Sequence, residues 1–90
     1  MSASCRVEIC NQKGLHARAS AAFARLSNEY SAQVSVAHEG VTADGGSIMD
    51  LLFLAASKGC VIEISADGED ADQAVNALKT LVENRFGEEI

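Results

Sequence analysis

Gly14-Leu15-His16-Ala17-Arg18-Ala19-Ser20-Ala21-Ala22-Phe23 is the stretch where this chain passes from a polar loop into a helix with one apolar face. From Ala17 onward, Ala19, Ala22, Phe23, Leu26 and Tyr30 recur at helical spacing, whereas Arg18, Ser20, Arg25 and Asn28 fall elsewhere, which predicts a helix from about Ala17 to Asn28. The preceding Asn11 to Gly14 is turn-like, and Gly14 is the residue best able to take an unusual backbone angle just before a helix. His16 is therefore expected at or beside the N-cap. There the first-turn N–H groups lack intrahelical partners and the helix dipole is positive, so an anion beside the imidazole would be stabilised. Arg18 can add a permanently charged forked donor to that anion, and a neutral imidazole nitrogen is a nucleophile at physiological pH. Taken alone, these residues fit both a plain helix cap and a site that accepts and returns a phosphoryl group.

Working outward, Cys5, Val7 and Ile9 alternate with Arg6, Glu8 and Cys10, a half-buried strand over Ser4 to Cys10. Gln33 to Ala37 alternates again and buries Val34 and Val36; Glu39-Gly40 turns the chain, and Val41 to Ala43 returns as a short third strand. Asp44-Gly45-Gly46 breaks that strand. Ser47 is then a candidate N-cap for a very apolar helix over Ile48 to Ala56, with Asp50 at the capping-box position and Lys58-Gly59 closing it. Cys60 to Ala66 is a fourth strand with Ile62 and Ile64 inward. After Asp67-Gly68, a capping box of Asp70 and Gln73 opens a last helix whose stripe is Ala74, Leu78, Leu81 and Val82 and which runs to about Arg85. The order strand, helix, strand, strand, helix, strand, helix implies an α+β, open-faced two-layer sandwich, a four-stranded antiparallel sheet with three helices on one face (βαββαβα), as a single domain over residues 1–90.

Composition narrows the functions. With 13 acidic against 7 basic residues, a net charge of −6 and only four aromatic rings, the chain lacks the basic, stacking surface of a nucleic-acid binder. Cys5, Cys10 and Cys60 are odd in number and show no zinc-ligand spacing, so they read as reduced thiols of a cytoplasmic protein, with no metal and no cofactor expected. No stretch approaches membrane-spanning length and the N-terminus does not read as a secretory signal, so no membrane partner is expected.

Three separated pieces carry a resemblance: Gly14-Leu15-His16-Ala17-Arg18 opening the first helix, Gly45-Gly46-Ser47-Ile48-Met49 opening the second, and Lys58-Gly59 before the last strand. In this order, from about Ser4 to Phe86, they resemble the HPr family, the histidine-containing phosphocarriers of the bacterial phosphoenolpyruvate-dependent phosphotransferase system. The resemblance implies that His16 takes a phosphoryl group on Nδ1 from Enzyme I and passes it to an EIIA domain, that Arg18 contacts the phosphate, and that Ser47 is the serine modified by HPr kinase/phosphorylase. It implies a monomeric carrier with a covalent phosphohistidine rather than a stand-alone enzyme. The broad apolar set at the start of the second helix leaves Ile48, Met49 and Leu52 for a docking surface beside His16, with Leu15, Ala17 and Ser20 contributing, and Leu51 and Leu54 for the core. Two departures stand out: Ala19 replaces the family's usual proline, and Asp50 puts an acid where many relatives carry a base. That combination is closer to α-proteobacterial or nitrogen-related members than to enteric sugar carriers. Two other readings share these residues or element counts. One is a regulatory binding module that signals by phosphorylation state without sugar transport. The other is a small acylphosphatase-like hydrolase, whose signature a Gly-Leu-His helix start is not.

Overall fold

Alternating residues pair into one antiparallel sheet, and the helical stripes close over its inner face. A computed structural model describes residues 1–89; Ile90, the last residue of the domain expected over 1–90, lies outside the described residues. The elements run β1 (Ser2–Glu8), α1 (Ala17–Ser27), β2 (Gln33–His38), β3 (Val41–Asp44), α2 (Ile48–Phe53), β4 (Val61–Asp67) and α3 (Ala71–Glu83), followed by a 3-10 turn over Arg85–Gly87. In the sheet the strands lie in the order β1-β4-β2-β3, and every neighbouring pair is antiparallel.

Register and burial agree. Val7 faces Ile62, Cys5 faces Ile64, Val36 faces Ile64 and Val34 faces Ala66, so the inward residues of three strands form one layer. The alternate positions pair Arg6 with Glu63 and Ser35 with Ser65 on the open side, the polar face that an antiparallel sheet can leave to water. The core is filled by Phe23, Ile9, Leu51, Ile62, Ile64, Leu78, Val36 and Val82, each essentially inaccessible. Burying a side chain of this size contributes about 1.5–3 kcal/mol.

Several boundaries differ from the sequence reading, each for a visible reason. The second helix stops at Phe53, not Ala56. Leu54 and Ala55 close it with N–H bonds to Leu51 and Leu52, Ala55 turns to φ 52°, and the freed Ala56 carbonyl accepts the Leu15 N–H at 2.9 Å. Gly59 is not this helix's end; it sits in a separate turn, donating its N–H to the Ile9 carbonyl at 2.8 Å. Asp70 occupies the N-cap position of α3 without capping it. Its two carboxylate oxygens instead accept the N–H groups of Ser31 and Ala32, both at 2.8 Å, and tie the α1–β2 loop to the start of α3. Ser47 does cap α2, accepting the Asp50 N–H at 3.2 Å, but the Asp50 carboxylate accepts from Asp44 N–H, so the reciprocal half of the capping box is absent.

Candidate functional site

The loop before α1 is held so that His16 has little freedom. Gly14 takes φ +65°, and a Cβ there would meet the Ala56 carbonyl oxygen at 2.6 Å and Ser57 Cα at 2.7 Å, so both conformation and space require glycine. Leu15 is 4 % exposed, and while its N–H goes to Ala56, its carbonyl accepts the Ser20 hydroxyl at 3.2 Å. This bond explains why Ser20, read as an outward polar residue, is fully buried: its hydroxyl is satisfied inside. Leu15 and Ser20 therefore anchor the site from beneath and present no side chain to a partner. Ala17 and Arg18 are exposed beside the ring.

His16 is the N-cap of α1, in extended backbone, and its Nδ1 accepts the Arg18 N–H at 3.3 Å. No acidic residue lies in the first turn to cancel the positive end of this 11-residue helix. On the other side of the ring, Nε2 lies 2.5 Å from Glu88 Oε2. Glu88 is joined at its other oxygen by Asn11 Nδ2 at 2.9 Å, and the same nitrogen donates to the Gly14 carbonyl at 2.9 Å. The Asn11 bond, followed by that from His16, holds the Glu88 carboxyl below the ordinary range against the opposing effect of burial. Lys13, Arg18, Phe86, Gly87, Glu88 and Glu89 line an open cleft of about 400 Å³.

Neither Glu88 nor Asn11 is read as a site residue from the sequence, Asn11 entering there only as the start of a turn. They stand 72 and 5 residues from His16, and no local period links a carboxylate in the last turn of chain to a helix start near the first.

The second helix is placed differently from expectation. Asn28 Nδ2, at the far end of α1, donates to the Gly46 carbonyl at 3.2 Å, whereas the end of α2 leads to Ala56, bonded to Leu15. The two helices are thus antiparallel, and Ser47 lies roughly one length of α1 from His16, about 16 Å at the rise of an α-helix. Ile48 and Met49 are exposed, at 43 % and 61 %, but Phe53, at 75 %, is the most exposed apolar side chain of α2 and lies at the end nearer the loop before His16. Leu52 is half-buried, and Leu51 and Leu54 are core. Among the described residues no helix is long and apolar enough to cross a membrane. Cys5, Cys10 and Cys60 are free thiols.

An imidazole capping a helix, with a backbone N–H on its Nδ1 and no acid in the first turn, on a βαββαβα sandwich is the setting of a histidine phosphocarrier. The comparisons agree: the family model for the HPr component phosphorylation site of the phosphotransferase system matches residues 3–84. The chain is 44 % identical over 82 residues to the phosphocarrier protein HPr of Neisseria meningitidis, covering 91 % of this chain and 92 % of that one. It is 37 % identical over 83 residues to the phosphocarrier protein NPr of Shewanella violacea, covering 92 % and 91 %. Its fold matches the crystal structure of HPr-C-His from Thermoanaerobacter tengcongensis with a TM-score of 0.93 at 38 % identity, over 98 % of this chain and 99 % of that one. The chain belongs to the HPr family of phosphotransferase-system phosphocarriers.

Proposed function

We propose that His16 Nδ1 takes a phosphoryl group from phospho-Enzyme I and yields it to the histidine of an EIIA domain. The observation that carries this reading is the capping geometry: Nδ1 faces the Arg18 N–H at the positive end of α1. A phosphoryl group on Nδ1 would meet donors that need no rearrangement, the Arg18 N–H and, within reach, its guanidinium. Positioning and charge stabilisation then supply most of the catalysis, with the partner bringing its own reacting group.

The docking surface in this reading is the exposed part of Ala17 and Arg18 together with Ile48, Met49, Leu52 and Phe53. Methionine suits a surface that must fit two different partners in turn. Ser47 is the proposed regulatory site for HPr kinase/phosphorylase. A phosphate there would add nearly two negative charges at the far end of the same surface, next to Asp44 and Asp50, and would act on docking because His16 is too distant to touch.

A test follows from the chemistry of the bond. Phosphoenolpyruvate, magnesium and Enzyme I should add one acid-labile phosphate by mass to the wild type and none to His16→Ala. Equal labelling of His16→Ala, or no labelling of the wild type, would sink the reading. With ATP and the kinase, Ser47→Ala should take no acid-stable phosphate. The likeness to a protein named NPr favours a second reading, a regulatory carrier that transfers phosphate without sugar uptake. Presenting the phosphorylated chain to sugar-type and nitrogen-type EIIA domains separates the two by which one accepts it.

A further inference from the structure

Phosphoryl transfer at Nδ1 leaves the other ring nitrogen without an assigned role, yet a carboxylate has been built against it. Glu88 follows three residues in left-handed backbone, Arg85 at φ 58°, Phe86 at 56° and Gly87 at 82°. Such angles in non-glycine residues are strained and persist where the surroundings over-determine them. Here Phe86 is buried at 7 % exposure, and Glu88 N–H donates to the Arg85 carbonyl at 2.9 Å. The side chain is only 12 % exposed, and Asn11, itself fully buried, grips its outer oxygen while bonding Gly14 in the loop that carries His16. Two remote segments are thus fastened to each other through the imidazole.

We infer that Glu88 is a positioning residue for phosphoryl exchange: by accepting the Nε2 proton of His16 it keeps the lone pair on Nδ1 and holds that proton in place while the phosphoryl group comes and goes. This rests on the carrier reading above. A neutral imidazole has one ring proton, and the partner of one nitrogen decides which nitrogen carries it. A carboxylate can only accept, so Nε2 holds the proton; a backbone N–H can only donate, so Nδ1 holds the lone pair. The two contacts select the same tautomer, and it is the one able to attack from the α1 side.

The balance of the step shows what the carboxylate adds. The Nδ1 lone pair forms the N–P bond as the donor's bond to phosphorus breaks and keeps its electron pair. The ring is left positive, with its proton still on Nε2. Glu88 offsets that charge at hydrogen-bond distance, so no proton has to leave for solvent. On the return step the N–P bond breaks, the electron pair goes back to Nδ1, and the neutral ring is recovered in the starting tautomer.

The variant that tests this is Glu88→Gln, which keeps size and the acceptor for Asn11 but turns an NH2 toward Nε2. With His16 labelled by 15N, the wild type should show Nε2 protonated and Nδ1 unprotonated, and the variant should shift toward the reverse. Its kcat/KM for phosphorylation by Enzyme I should fall about tenfold, mostly in kcat, the order seen when a group orienting a histidine through its far nitrogen is lost. The backbone amide spectrum, unchanged outside the site, shows that the fold is kept. An unaltered tautomer, or an altered tautomer with a wild-type rate, overturns the inference. A wild type that takes no phosphate on His16 overturns the carrier reading, and the exchange role of Glu88 with it, whereas a wild type that takes phosphate together with an unaltered tautomer in Glu88→Gln overturns the Glu88 inference alone.

Discussion

At the residue scale, Gly14 and Arg18 carry different burdens. Gly14 is structural: Gly14→Ala would place a Cβ against the Ala56 carbonyl in a left-handed conformation, and should cost about 2–3 kcal/mol of stability by denaturant titration. Because that loop fixes His16, phosphorylation should suffer beyond what the lost stability explains. Arg18 is exposed and has no side-chain hydrogen bond to the rest of the fold among the described residues. Arg18→Ala should therefore leave Tm within a degree or two while slowing phosphoryl acceptance about tenfold, the worth of one charge-assisted bond to the transferring group. A large loss of stability with little change in rate would reverse the roles assigned here. The place of His16 at the helix start, with Arg18 exposed beside it, was legible because it depends on local sequence, a loop ending in a helix. Glu88 was not, since only the folded chain brings residue 88 to residue 16, and Leu15 and Ser20 were misplaced because a buried serine bonded to a backbone carbonyl leaves no trace in hydropathy.

At the element scale, both the ends of helices and the exact turn of their faces depend on partners that no local period shows. The stripe of α3 follows largely from apolar spacing, whereas in α1 only Ala19 and Phe23 of the expected stripe are fully buried. The α1 face is turned to bury Ser20, Ala24 and Ser27, while Ala22, Leu26 and Tyr30 stay partly open. Helix α2 ends early because carbonyls at its end are needed elsewhere, Ala56 by Leu15. The orientation of α2 was also beyond a sequence reading, because a short helix can be entered from either direction with the same pattern. Its consequence is that Phe53, rather than Ile48, is the apolar side chain of α2 nearer His16. Phe53→Ser should raise KM for Enzyme I severalfold at unchanged kcat and nearly unchanged stability, since a 75 % exposed ring contributes little to the core. At the start of α3, the N–H of Ser31 first, and that of Ala32 with it, hold the Asp70 carboxyl below its ordinary value of 3.8. The fold thus prefers the ionised form, so the stabilisation is complete above that ordinary value and is lost as pH falls through it toward the folded-state value. Asp70→Asn should be less stable than the wild type at pH 7, and the difference should close on acidification below about pH 4. A gap that is constant with pH would show that the two N–H bonds, and not the charge, make the contribution.

At the scale of the whole molecule, one sheet with a covered and an open face holds the carrier together; the succession of elements along the chain was legible from alternation and turns, whereas the strand order β1-β4-β2-β3 emerges only on folding. The core is shared by all three helices, so Phe23→Ala, at the middle of α1, should cost about 3–5 kcal/mol, measured by thermal unfolding, and should unfold a large share of the population at 37 °C. What the fold achieves is the meeting of the α1 start, the α2 end and the C-terminal turn around one imidazole. The claim at the centre of this account is that Nδ1 is the reacting atom because Nε2 is already committed to Glu88. The most direct measurement is 31P and 15N NMR of the protein after phosphorylation by phosphoenolpyruvate and Enzyme I, with His16 labelled. The account predicts a single phosphorus bonded to Nδ1, with Nε2 still protonated. A phosphorus bonded to Nε2, or one attached to any residue other than His16, would contradict it.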